Sequence, residues 1–288
     1  MRVDTVLLRD ESRRSWSDTA ASRPIRCTIW HAESARDSAT PVVVLSHGTG
    51  GEASDLSWLA HALCEAGYLV ASVDHHGNTS SEPAYAAEGF AFTWNRPPDL
   101  SVLVDYVIEH YDVDESRIGA AGFSLGGYTV AALLGATLDS AVLRAMAHGH
   151  VPLPPLPEFP DLRESLLKIY PLDQLGTLFA DAANTRRDER IRAGLLLAPA
   201  IGQLVDATSL SAVTAPVQIY WGDADDNSPP ELNAHRYLAG IPEAIGCSVG
   251  ADVGHYVFVH DNDDPRGVRE RVANDAVAFF GTTLSARA

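Results

Sequence analysis

The sequence predicts a doubly wound α/β fold from two observations: short apolar runs recur along the chain, and helical patterns separate them. The runs Val42-Val43-Val44-Leu45, Leu69 to Val73, Ile118 to Gly122, Leu195-Leu196-Leu197 and Val217 to Trp221 are almost continuously apolar. A strand needs that pattern when helices cover both faces of a mostly parallel sheet, whereas a strand with one wet face alternates. The helical stretches fall at Leu56 to Ala66, Leu100 to Tyr111, Leu125 to Thr137 and Arg266 to Phe280. A third observation marks the sheet margin. Ile25, Cys27 and Ile29 alternate with Arg26, Thr28 and Trp30, the period of a half-buried strand near an edge.

The alternation is interrupted once, between Arg144 and Arg190. Here the chain passes through Val151-Pro152-Leu153-Pro154-Pro155-Leu156-Pro157, where proline removes ladder donors and fixes φ, and then through a helix-like region from Leu162 to Ala183. An insertion of this size between two core strands predicts a cap over the carboxyl edge of the sheet. The chain has 288 residues, 46% of them hydrophobic, and shows no internal repeat, low-complexity tail or linker; it reads as one enlarged domain, 1–288, with the cap at 144–190.

Charge narrows the function classes. With 38 acidic against 21 basic residues the net charge is −17, which repels a phosphate backbone or an anionic membrane surface, so nucleic acid is not an expected partner. Lys168 is the only lysine, which reads as codon bias, with a halophilic surface as the alternative. The three cysteines, Cys27, Cys64 and Cys247, are odd in number and far apart, so no disulfide framework is implied. Met1 to Ser17 lacks an apolar stretch of signal-peptide length, and no segment approaches the ~18 to 20 apolar residues that span a bilayer. The expectation is a soluble cytoplasmic protein without a membrane span; a homo-oligomer stays open.

The sharpest chemical signal is Gly122-Phe123-Ser124-Leu125-Gly126-Gly127, set between an apolar strand and a helix. A nucleophile on a tight strand-to-helix turn needs small residues two before and two after it, because the backbones there approach too closely for side chains. Gly122 and Gly126 meet that need, and the helix start directs unpaired N–H groups toward a developing oxyanion. Ser46-His47-Gly48-Thr49-Gly50-Gly51, after the strand ending at Leu45, is the second signal. It can supply a second backbone donor: Thr49 N–H is the candidate, with Leu125 N–H as the first. A phosphate-binding loop would require a following Lys-Ser/Thr, which is absent.

A carboxylate and a base complete the set. The strand ending at Trp221 leads into Gly222-Asp223-Ala224-Asp225-Asp226-Asn227, and Gly254-His255-Tyr256 follows the run Cys247 to Val253. A carboxylate at such a turn fixes the histidine tautomer and stabilises the imidazolium. The turn also mimics the first ligands of a calcium loop, but Ser228 and Ala234 stand where glycine and glutamate are needed. The chain order Ser124, then an Asp, then His255 is that of α/β-hydrolases. These residues alone leave Asp223, Asp225 and Asp226 open. Other clusters weigh less: His75 and His76 suit loop stabilisation better than a pocket wall, and His148 and His150 lack a third ligand for a metal. Asp261 to Asp264 reads as a solvated turn, and Trp94, Tyr128 and Trp221 as core aromatics or a pocket wall.

On these residues the sequence resembles the dienelactone hydrolase-like branch of the α/β-hydrolases, close to predicted hydrolases related to platelet-activating factor acetylhydrolases. The similarity runs through Arg23-Pro24-Ile25, His47-Gly48, Asp74-His75-His76-Gly77-Asn78-Thr79, Arg96-Pro97-Pro98-Asp99, the Ser124 turn, Asp188-Glu189-Arg190-Ile191-Arg192-Ala193 and Gly254-His255. The resemblance implies the α/β-hydrolase fold, Ser124 as nucleophile, Asp225 as acid, three residues beyond Gly222, and His255 as base. It implies no cofactor or metal and a small-molecule ester, thioester or lactone as substrate. Dienelactone hydrolases carry a cysteine where this chain has Ser124. Two readings from other classes stand beside it: a non-hydrolytic enzyme such as an isomerase, cyclase or acyltransferase on the same fold, and a catalytically silent binding protein.

Overall fold

In the computed structural model, which describes residues 1–32, 39–152 and 156–285, eight strands form one sheet in the order β1-β2-β4-β3-β5-β6-β7-β8. They are β1 (Arg2–Arg14), β2 (Ser22–His31), β3 (Thr40–Ser46), β4 (Leu69–Asp74), β5 (Val113–Phe123), β6 (Ile191–Leu197), β7 (Val217–Trp221) and β8 (Ala244–Ser248). β2 runs antiparallel to both β1 and β4, and every pairing from β4 to β8 is parallel.

The apolar runs are the parallel strands, and β3 shows why they need no alternation. Val42 and Val44 enter the apolar layer on one face while Val43 and Leu45 enter the layer on the other. Helices α1 (Ser57–Glu65) and α10 (Val268–Thr283) cover one face, where Phe280 is fully buried and its ring occupies the space a Cβ on Gly119 would need, 2.6 Å away. Burial of one such ring contributes about 1.5–3 kcal/mol. Helices α3 (Arg96–His110) and α4 (Leu125–Leu133) lie on the other face, with short α2 (Ala87–Ala91), α8 (Ala207–Ser211) and α9 (Ala234–Gly240) beside them.

β1 carries no strand signal of the apolar kind. It is an edge strand whose Val3 and Leu7 are 52% and 58% exposed, so only Val6 and Leu8 pack inward, partly buried. Its value lies in what it carries inward. Arg13 Nη2 and Arg23 Nε stand 2.7 and 2.9 Å from Asp99 Oδ1, tying the β1–β2 hairpin to the first turn of α3. That helix begins four residues earlier than its apolar pattern, because Pro97 and Pro98 sit in the first turn, where a missing N–H costs nothing.

The stretch between α4 and β6 contains α5 (Ser140–Ala147), α6 (Leu162–Ile169) and α7 (Leu172–Ala180). Of the proline run, Leu153, Pro154 and Pro155 lie outside the described residues. The helix-like region expected from Leu162 to Ala183 divides at Tyr170-Pro171, because a residue before proline is driven out of the helical conformation; Tyr170 is extended, at φ −124° and ψ 130°. The helix expected from Leu125 to Thr137 ends at Leu133, two residues before Gly135 at φ +118°.

Candidate active site

Ser124 sits between the end of β5 and the start of α4 at φ 54° and ψ −119°, a conformation that costs a non-glycine residue on the order of 1–3 kcal/mol. Close packing of three backbone segments holds it there. A Cβ on Gly122 would stand 2.1 Å from the carbonyl oxygen of Gly126, and a Cβ on Gly126 would stand 2.0 Å from that of Ser46. The elbow and the turn after β3 are therefore in direct backbone contact. The Ser124 amide also donates to the Leu197 carbonyl at the end of β6, 2.8 Å away.

His255 follows β8 in a one-turn 3-10 helix, and the acid turn is joined to it through main chain. Asp223 N–H donates to Gly250 O (3.0 Å), Ala224 N–H donates to Val253 O (3.1 Å), and a Cβ on Gly222 would collide with Val253 O at 2.0 Å. This pairing sets the histidine beside Asp225. Asp225 Oδ2 is 2.6 Å from His255 Nδ1, and His255 Nε2 is 3.0 Å from Ser124 Oγ. All three residues are at most 5% exposed. Asp225 Oδ1 also accepts from Ser228 N–H at 2.6 Å, which locks the carboxylate. Asp223 and Asp226 are exposed, and Asp223 accepts from Trp221 Nε1 at 3.0 Å.

The turn at residues 47–51 lies alongside the serine. A Cβ on Gly48 would be 3.4 Å from Ser124 Cβ, so Thr49 is the next residue past the point of contact. Leu125 is the first residue of α4, where amides have no partner within the helix. Gly50 N–H donates to Asn78 Oδ1 at 2.7 Å, and Arg96 reaches the same oxygen with Nη1 at 3.2 Å. Arg96 Nη2 donates a short hydrogen bond to the His47 carbonyl, and Nε donates to Thr129 Oγ1 at 3.2 Å. Burial pushes this guanidinium down to about 9, against the opposing pull of Asp99.

Behind the turn, His47 donates from Nδ1 to Gly48 O (2.6 Å) and accepts from His75 N–H at Nε2 (3.0 Å). His75 bridges Ser46 Oγ (2.9 Å) and Asp99 Oδ2 (2.9 Å). Burial, helped by the Arg96 charge, holds His47 well below the usual imidazole range and His75 down to about 3. His76 meets Glu82 at 2.6 Å and the Trp16 amide at 3.0 Å. These histidines stabilise loops, as their sequence context suggests. Trp94, Tyr128 and Trp221 are buried in an apolar layer. His148 and His150 stack on each other at 5.7 Å, and among the described residues no group of three or more His, Cys, Asp or Glu is placed to hold a metal.

The sequence pattern did not single out Arg13, Tyr85 or Glu158, and although the resemblance runs through Arg23 and Asp99 it gave neither a role in a charged cluster with Arg13. Tyr85 donates to Gly50 O at 3.0 Å, and Glu158 Cγ lies 3.5 Å from where a Gly50 Cβ would stand. No periodicity distinguishes a buried arginine from a solvated one.

Residues 54–141, which include Ser124, match the prolyl oligopeptidase family. None of the curated proteins matches the chain by sequence. Among solved structures, the chain is similar to a ferulic acid esterase from Streptomyces cinnamoneus, with a TM-score of 0.62 and 19% identity over 99% of this chain and 90% of that one. At that identity the likeness is one of fold.

Proposed function

We propose, from the premise that this chain has the α/β-hydrolase fold, that it is a serine hydrolase cleaving carboxylic esters or related thioesters and lactones through an acyl-enzyme. One observation carries the reading: the continuous relay from Asp225 Oδ2 through His255 to Ser124 Oγ, with the serine held at positive φ on the elbow. In this mechanism Ser124 Oγ attacks the substrate carbonyl as His255 Nε2 takes its proton. Asp225 holds the Nδ1–H tautomer and stabilises the imidazolium. The carbonyl oxygen, now an anion, rests on the Thr49 and Leu125 amides. His255 then returns the proton to the leaving group; water, activated the same way, releases the acid and restores Ser124.

The insertion at 144–190 acts in this reading as a cap that selects the acyl or alcohol group. Phe159 packs on Phe90 at 5.3 Å, Tyr170 and Phe179 pack on Phe92 at 5.9 and 5.8 Å, and Glu158 reaches the Gly50 turn. Both partner phenylalanines belong to the segment between β4 and α3, whose Asn78 and Tyr85 bond to Gly50, and these contacts support the cap reading. A second reading, a peptide bond as substrate, draws on the match of residues 54–141 to the prolyl oligopeptidase family.

Covalent labelling by a fluorophosphonate, read as intact mass, tests the reaction class, and parallel rates on an activated short-chain ester and a peptide anilide separate the two bonds. Ser124→Ala should abolish labelling and lower ester turnover by roughly 10⁴-fold or more. Retention of a tenth of the rate in that variant would remove Ser124 from the nucleophile's role.

A further inference from the structure

Around the mouth of the site three side chains serve no step of the mechanism above: Tyr85, Glu158 and Tyr256. A row of rings fixes their relative placement. Tyr85 packs edge-on against Phe90 at 4.9 Å, and Phe90 packs against Phe159 at 5.3 Å, so the residue next to Phe159, Glu158, is anchored over the Gly50 turn. Across the site, Tyr256 stands edge-on to His255 at 5.1 Å. Both tyrosines are open to solvent, 39% and 47% exposed, and Glu158 is partly buried with no ion-pair partner among the described residues. Gly50 is two residues from Gly48, which touches Ser124; two residues span at most about 7 Å, so a group held at Glu158 is within one substrate length of the nucleophile.

The charges acting on these two hydroxyls have one sign. Burial, and after it the charges of Glu158 and Asp55 on Tyr85 and of Glu158, Asp225 and Asp226 on Tyr256, pushes both phenols up, and among the described residues no arginine or lysine offsets them. Glu158 shares the Gly50 turn with the exposed Tyr85, and its charge acts on the exposed Tyr256; a carboxylate beside exposed aromatic rings attracts an ammonium group, by charge and by the ring quadrupoles together. A substrate carboxylate would meet repulsion in the same place.

We infer that Glu158, Tyr85 and Tyr256 form a subsite for a positively charged group, so that the preferred substrates carry a quaternary or protonated ammonium near the scissile carbonyl. This rests on the serine-hydrolase reading above and gives it a substrate class.

The test compares three thioacetates of matched size: a cationic choline-type ester, its uncharged 3,3-dimethylbutyl isostere and a carboxylate-bearing analogue. At low ionic strength kcat/KM should favour the cationic ester over the uncharged one by about tenfold, and the anionic ester should be the slowest. Glu158→Gln should reduce the cationic preference to about twofold, and Glu158→Lys should invert it. Glu164→Gln, an exposed change of equal charge on the same insertion, should leave the ratio as it is. Equal rates for the cationic and uncharged esters, or a preference that survives Glu158→Gln, would overturn the subsite while leaving the hydrolase reading intact. Failure of the uncharged ester to turn over, with no fluorophosphonate label on Ser124, would overturn both.

Discussion

Arg96 donates to the main-chain carbonyl of His47, the residue before the glycine that touches Ser124. A fully buried guanidinium thus holds the turn that would supply one oxyanion donor, and it does so together with Asn78, which accepts from Gly50. Arg96→Ala leaves the His47 carbonyl without its donor in a dry setting, about 1–3 kcal/mol, and leaves Asn78 Oδ1 with the Gly50 N–H alone. The turn should loosen. We expect kcat on an activated ester to fall by about 10- to 100-fold with little change in KM, because the donor acts mainly once the carbonyl oxygen is charged. Arg96→Lys, which keeps the charge and one contact, should recover part of the loss. A folded Arg96→Ala protein with unaltered kcat would show that the turn keeps its shape alone.

Asp225 is buried against His255 while its two acidic neighbours face solvent, so the three carboxylates should behave differently. Asp225→Asn should lower kcat on the order of 10⁴-fold, as in serine proteases that lose the same partner, because an amide cannot hold the required tautomer. Asp223→Asn and Asp226→Asn should stay within a fewfold of the parent. Steady-state kinetics on one ester decides this, and a large loss at either neighbour with Asp225→Asn near parent activity would reassign the acid.

His47 and His75 are held neutral by burial, with His75 at about 3, whereas in the unfolded chain both take up protons near the ordinary value of about 6.5. Between those limits the unfolded chain binds more protons, so stability is full above about 6.5 and falls as the pH drops toward 3. Asp55 and Asp74, raised by burial, oppose this only near the carboxylate range. Urea denaturation at pH 7.5 and 5 should show a decline of up to about 1.4 kcal/mol per pH unit for each histidine. His75→Gln should flatten the slope by one histidine's share; an unchanged slope in a folded variant would mean that His75 protonates in the native state.

Much of the architecture follows from the chain's local chemistry. The run Val42 to Leu45 has no polar position to face water, so it had to be a strand covered on both sides. Gly122, Ser124 and Gly126 could be read as a strained elbow because only glycine tolerates backbones in contact, a demand stated within five residues. Loop chemistry was legible in part: Gly222 marks where the chain leaves β7, whereas Gly254 stands six residues beyond the end of β8 and directly precedes His255.

What the tertiary structure decided depends on distance in space. Composition could not choose among Asp223, Asp225 and Asp226, and only the resemblance pointed to Asp225; that this carboxylate lies inward against His255 follows from the main-chain bonds that join its turn to Gly250 and Val253. Edge strand β1 escaped notice because a strand with one neighbour buries too little to leave an apolar run, yet it delivers Arg13 to Asp99. Arg96 lies inside and Glu158 at the mouth for a reason no local window contains. An arginine is buried only where acceptors from distant segments converge on it, here His47 after β3, Asn78 after β4 and Thr129 on α4, and those acceptors meet only when β3, β4 and α4 pack around the start of α3.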